Sequence, residues 1–170
     1  MKKILFWTFI VACCTVIIAL GVGLISAFHT KSALPANKDS NERDQQLEEQ
    51  VSYIGGTPEP EVELNQSTSE ETVIETMHKM THQKVYSPDK WGAVEMTSAN
   101  IQKVKHVLEM NEFEHKAQLL QILTRWENND FSTVVEDHNY FWTLQGGNIG
   151  EATGRLSESD EKTFIKNNFR

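Results

Sequence analysis

ILFWTFIVACCTVIIALGVGLISAF, residues 4–28, carries no charged residue, and its reading decides how the rest of the chain is organised. Only Thr8, Thr15 and Ser26 are polar within it, and Gly21 and Gly23 are its only glycines. As a helix rising about 1.5 Å per residue, the stretch is about 37 Å long against about 30 Å of bilayer hydrocarbon. It is expected to be an uncut transmembrane signal anchor with the lipid bilayer as its partner, preceded by a cytoplasmic tail at residues 1–3. A cleaved secretory signal has a shorter apolar core and a small-x-small cleavage site; here Leu24 or Ile25 stands where the second small residue belongs. Ile10 to Cys13 also resembles a bacterial lipobox, but cleavage there leaves Cys14 to Phe28 as a second, redundant apolar anchor.

Lys2 and Lys3 abut the run on one side, while Lys31, Lys38 and Arg43 are spread out on the other. The positive-inside rule counts basic residues close to the membrane, so the amino terminus is expected inside and the bulk of the chain outside the cell. That gives a single-pass protein of the cell membrane with an extracellular carboxy-terminal domain.

Beyond the anchor the chain is acidic. The formal charge of the whole is −8, and removing Lys2 and Lys3 leaves −10. Nucleic-acid binding needs clustered Lys and Arg to neutralise phosphates, and none is present, so nucleic acid is not an expected partner. Both cysteines, Cys13 and Cys14, fall inside the apolar run. The remainder therefore has no disulfide and no thiolate metal site.

Residues 29–67 read as a flexible acidic linker. From His29 to Glu71 three basic residues face ten acidic ones, and Pro35, Pro58, Pro60, Gly55 and Gly56 interrupt any period. Such composition buries too little apolar surface to offset the entropy of ordering. A short helix between Asn41 and Val51 has only Leu47 and Val51 to bury.

Residues 68–170 read as one helical domain. Thr68 and Glu71 have the spacing of a capping box ahead of Val73, Ile74, Met77 and Met80, which recur at helical intervals; this first helix is expected to reach Lys84, before Ser87 and Pro88. Trp91 to Met96 reads as an ordered connection or one short strand. A second helix follows Thr97 with Ile101, Val104 and Leu108 on one face, ending at Asn111. A third spans 113–126 with Leu119, Leu120, Leu123 and Trp126, and a fourth spans 131–145 with Val134, Val135, Phe141 and Trp142 and a glycine stop at Gly146. The last follows Ser157, paired with Asp160, and buries Phe164, Ile165 and Phe169. No alternating run is present, so the expected class is all-α, with about five helices.

Three features are candidates for chemistry. His78 and His82 stand four apart on the first helix, so their imidazoles share a face, the spacing that two ligands of one zinc ion use in metallopeptidase helices. Those helices carry a glutamate directly after the first histidine, and Lys79 stands in that place, which argues against a peptidase. Further ligands would have to come from Glu75, His106, His115, His138 or Asp137. His138 lies on the apolar side of the fourth helix, where a hydrogen-bonded core histidine is the plainer reading and a general base partnered by Glu136 or Asp137 the sharper one. The glycines at 146, 147, 150 and 154 form a loop that follows a helix, unlike the phosphate loops that follow a strand; Asn148 and Arg155 make it a small candidate anion site. Tyr140, Phe141 and Trp142 cannot all face inward from one helix. The expected binding surface is His138, Tyr140, Trp142, Gly146, Gly147, Asn148 and Arg155. No catalytic residue and no cofactor is expected, zinc at His78 and His82 being the alternative.

The stretch Glu75 to Val85, with Met77, His78, Lys79, Met80, Thr81, His82, Gln83 and Lys84, resembles a known family, as does Asp137, His138, Asn139, Tyr140 through Trp142 to Gly150. That family consists of small single-pass proteins of Gram-positive spore-forming bacteria, and its soluble domain has no assigned function. The resemblance covers about Glu71 to Phe169 and implies a bacterial cell-surface setting; it supplies no site residues. The leading expectation is thus a tethered, non-catalytic domain that binds another envelope protein, with a metal-binding or hydrolytic domain using His78 and His82 as the alternative.

Overall fold

The computed structural model describes residues 38–52 and 54–170. The apolar run 4–28 lies outside them, and no helix of the described residues is long and apolar enough to cross a membrane. The compact unit is Glu42–Arg170; of the other unit, Met1–Asn41, only the start of the first helix is described.

In chain order the elements are α1 (Lys38–Val51), β1 (Gly55–Glu59), α2 (Glu70–Thr81), β2 (Val85–Tyr86), β3 (Trp91–Val94), α3 (Ser98–Met110), α4 (Lys116–Glu127), α5 (Val134–Leu144), β4 (Gly154–Arg155) and α6 (Glu158–Phe169). The fold is mostly helical, and the all-α expectation is corrected by four short strands. β1 pairs with β3 in parallel, and β2 with β4 antiparallel. None exceeds five residues, too short to show the alternation by which a half-buried strand is read.

The expected linker 29–67 differs most. It contains α1 and β1, and this stretch is held by polar side chains, its own Gln50 and amides of later elements, in place of an apolar face of its own. The Gln50 side-chain amide donates to Ser87 O at 2.8 Å and accepts from Ser87 N at 2.9 Å. Asn168 accepts from Ile54 N and donates to Ser52 O, and Asn167 donates to Val51 O. The buried Asn100 accepts from Val62 N and donates to Pro60 O and Glu95 O. An acidic, proline-broken segment is thereby ordered through its backbone groups, a mechanism that hydropathy does not record.

α2 begins one residue later than the capping box suggests. Ser69 caps it by accepting from Thr72 N, while Thr68 accepts from Asn65 N. Thr97 and Ser157 cap α3 and α6 through Asn100 N and Asp160 N, as their positions indicate. Gly146, at φ +69°, follows the end of α5. The core joins Val73, Met77 and Met80 of α2 to Val104 and Leu108 of α3, Leu119, Leu123 and Trp126 of α4, and Phe141 of α5. Packing of α2 on α5 within this core places His78, His82 and His138 against one another.

Candidate metal centre

Of the three neighbouring residues Tyr140, Phe141 and Trp142, Phe141 is fully buried. The helical turn of about 100° per residue therefore sends His138, three residues earlier, to the same interior side, where it meets α2. His78 and His82, one turn apart, face it. The ring centroids of His78 and His138 are 4.4 Å apart, those of His78 and His82 5.0 Å, and those of His82 and His138 5.6 Å. One nitrogen from each ring lies within 4.8 Å of the other two.

The outward nitrogens are each taken by an oxygen. His82 Nδ1 is 2.6 Å from Gly92 O, a carbonyl that can only accept, so Nδ1 carries the proton and Nε2 a lone pair. His138 Nδ1 is 2.9 Å from Asn139 Oδ1. That oxygen also accepts from Ala152 N at 2.8 Å, while Asn139 Nδ2 donates to Ala152 O at 3.0 Å. The amide orientation is fixed by this pairing, so His138 Nδ1 is a donor and its Nε2 also presents a lone pair. Supporting the ring nitrogen opposite the ligand nitrogen is how metal-binding histidines are oriented.

His78 Nδ1 meets Gln145 Oε1 at 2.5 Å, and its Nε2 lies 3.0 Å from His138 Nε2. With Gln145 presenting its oxygen, a neutral His78 is also bare at Nε2, and two lone pairs at 3.0 Å repel unless a proton or a metal ion lies between them. With the amide turned over, His78 Nε2–H donates to His138, and the three rings close without a metal. The same side chains therefore support a metal-free and a metal-loaded arrangement that differ by the Gln145 amide and one proton.

Burial favours the neutral form of all three imidazoles. It lowers His138 to about 4 and His82 well below the ordinary histidine value, with the neighbouring rings adding to the effect. His78 is lowered by burial as well, against the opposing pull of Gln145 and Glu75. A neutral imidazole is the form that binds a metal. With Zn–N bonds of about 2.0–2.1 Å in a tetrahedron, ligand nitrogens sit about 3.3 Å apart. The 3.0 Å pair nearly meets this, and the widest separation, 4.8 Å, requires the rings to draw together.

Gly92 gives the centre its carbonyl. It stands at φ +72°, and a Cβ there would come within 3.0 Å of the Lys79 side chain, so a side chain at 92 disturbs both backbone and neighbour. On its open side the centre borders a cavity of about 250 Å³ lined by His78, His82, Glu75, Asp89, Trp91 and Gln145, among others. Glu75 is paired with Lys79 at 2.7 Å.

Other sequence candidates lie elsewhere. Asp137 turns away from the histidines to Arg125 and to Trp126 Nε1; burial pushes its carboxyl up against the opposing pull of both partners. It is not the partner of His138. His115 sits at the start of α4 beside Glu70 and Tyr140, and His106 is exposed on α3. Of the expected binding surface, Trp142 lines the cavity and its ring lies over Gly147, while its Nε1 donates to Ile149 O at 2.8 Å. His138, Tyr140, Gly146, Gly147, Asn148 and Arg155 do not line it. Sequence reading did not single out Gly92, Asn139 and Gln145 as supports, because backbone carbonyls and side-chain amides carry no ligand signature of their own.

The chain belongs to a family of unknown function, DUF6241, whose model matches residues 77–166. The matched region contains His78, His82 and His138 together with Gly92, Asn139 and Gln145. No curated protein and no solved structure matches the chain.

Proposed function

We propose that this domain is a divalent-metal-binding module, with His78, His82 and His138 as the protein ligands of a zinc-type ion. One observation carries the reading: each imidazole has its Nδ1 engaged by an oxygen, the second nitrogens of His78 and His138 are 3.0 Å apart, and His82 brings a ring nitrogen within 4.8 Å of both rings. Imidazole donors without thiolates suit zinc, copper, nickel or iron better than calcium or magnesium. Three histidines leave a fourth position on tetrahedral zinc, and the cavity lined by His78 and His82 is where a further ligand would reach it. An open position distinguishes sites that exchange a ligand from closed structural ones.

The test is metal content. Full-length protein purified without a histidine tag and dialysed against trace zinc is expected to hold one zinc per chain, and His82→Ala to lose at least nine-tenths of it. Retention of zinc by His82→Ala, or none in the parent, contradicts the proposal.

The uncharged run at 4–28 supports a location at the membrane with the metal module outside the cytoplasm. A carboxy-terminal fusion to a reporter active only in the periplasm or on the cell surface is expected to give signal; activity of a cytosol-only reporter overturns that placement. Sequence alone favours a protein-binding module first. Convergence of the three histidines reverses that order, and an envelope partner becomes the second reading.

A further inference from the structure

Trp91 and Ile149 are two of the three large apolar side chains exposed among the described residues, at 70% and 67% of their full surface. Both line the same cavity as His78 and His82. Leaving a tryptophan in water forgoes a large apolar burial, and two such residues flanking one opening form an apolar rim around a polar floor.

Each is held in place by a close backbone approach. The Trp91 ring lies on Gly55, where a Cβ would come within 2.5 Å of it. Ile149 belongs to the loop that Trp142 Nε1 holds through Ile149 O, with the Trp142 ring over Gly147, whose Cβ would fall 2.3 Å from that ring. Gly150, next in the chain, stands at φ +96° with Asp89 O 2.9 Å from where a Cβ would be. The rim is built at three glycines, Gly55 across the β1–β3 pair from Trp91 and Gly147 and Gly150 in the loop that carries Ile149.

Resting on the metal reading above, we infer that the cavity takes a small ligand with two parts: an anionic oxygen donor for the open metal position and a ring-sized apolar body between Trp91 and Ile149. A volume of about 250 Å³ is below the range of about 300–1,000 Å³ typical of drug-sized ligand sites, which limits the body to about one ring. Three neutral histidines bring no negative charge to a divalent ion; of the two carboxylates lining the cavity, Glu75 is already paired with Lys79 and Asp89 supplies one charge against two, so an anionic donor is favoured over a neutral one.

Acetohydroxamate and benzohydroxamate share one anionic oxygen donor group and differ in a methyl against a phenyl body. Full-length protein loaded with cobalt(II) and freed of excess metal reports ligation through its visible absorption bands. The expected result is half-saturation by benzohydroxamate at a concentration at least tenfold below that of acetohydroxamate. Trp91→Ala and Ile149→Ser should each shrink that preference at least threefold, with the cobalt spectrum of the unliganded protein unchanged. Equal half-saturation by the two hydroxamates, or a preference intact in both variants, overturns the inference while leaving the metal reading standing. A chain that takes up no cobalt and no zinc overturns the metal reading, and this inference with it.

Discussion

Lys90 shows what a single buried charge does around the centre. Its side chain is 8% exposed, its ammonium donates to Gln50 O at 3.3 Å and lies 5.2 Å from the Phe164 ring centroid, and burial lowers its pKa to about 7. In the unfolded chain the same lysine titrates near 10.5. Between those values the unfolded chain binds the extra proton, so stability rises with pH from about 7 toward 10.5 and is flat below 7, where the full cost is present. Lys90→Met removes this contribution. The wild-type domain is expected to gain on the order of 2–4 kcal/mol relative to Lys90→Met between about pH 7 and pH 10, since each pH unit in that window contributes about 1.4 kcal/mol at most. Urea unfolding of both proteins across that range measures it, and parallel pH profiles contradict it.

At the same scale, the histidines differ in how much of their role sequence shows. His78 and His82 are legible as a pair because one helical turn separates them. His138 is not, because its membership depends on α2 packing against α5, and it lies 60 residues along the chain from His78. Its position on the apolar side of α5 says that it is buried; only the fold says what it is buried against. The expected pairing with Asp137 fails because adjacent residues on a helix point about 100° apart, which sends the carboxylate to Arg125 and Trp126.

Elements are legible where their ends are marked. Thr97, Ser157 and Gly146 locate the ends of α3, α6 and α5 because caps act through local hydrogen bonds and backbone conformation. The strands and α1 escape notice for the opposite reason: β2 and β4 are two residues each, β1 contains Pro58, and α1 is acidic with few apolar residues. The end of α1 and the residues flanking β1 are held by side-chain amides of α3 and α6. Asn168 on α6 is the clearest of these, bonding Ile54 N at 3.2 Å, Ser52 O at 3.1 Å and Phe164 O at 2.9 Å. Asn168→Ala leaves these buried and partly buried groups without that partner, and a cost of about 2 kcal/mol is expected from bonds of about 1 kcal/mol each. The midpoint of urea unfolding should fall accordingly, and hydrogen exchange should quicken first at residues 50–56. Unchanged exchange there would mean that α1 and β1 are held by something else.

Across the whole molecule, the three histidines join elements that have no covalent link near the site. α2 supplies His78 and its C-cap residue His82, α5 supplies His138, β3 the carbonyl on His82, and the 145–152 segment touches the centre through Gln145 and, by way of Ala152 and Asn139, His138. With a metal bound as proposed, a domain without cysteines would gain from such a junction what small secreted domains gain from disulfides. An ion bound at the folded centre stabilises the domain by mass action, on the order of 4 kcal/mol at a thousandfold excess over its dissociation constant. His78 and His82 also line the cavity, so in the proposed site structural gain and ligand exchange are compatible.

X-ray absorption at the zinc edge of the full-length, zinc-loaded protein tests the centre most directly, because it reports ligand type and distance together. Three imidazole nitrogens at about 2.0–2.1 Å with one further light atom are expected, with loss of imidazole scattering in His138→Ala. A zinc shell made mainly of oxygens, or an imidazole count unaffected by His138→Ala, would contradict a three-histidine centre.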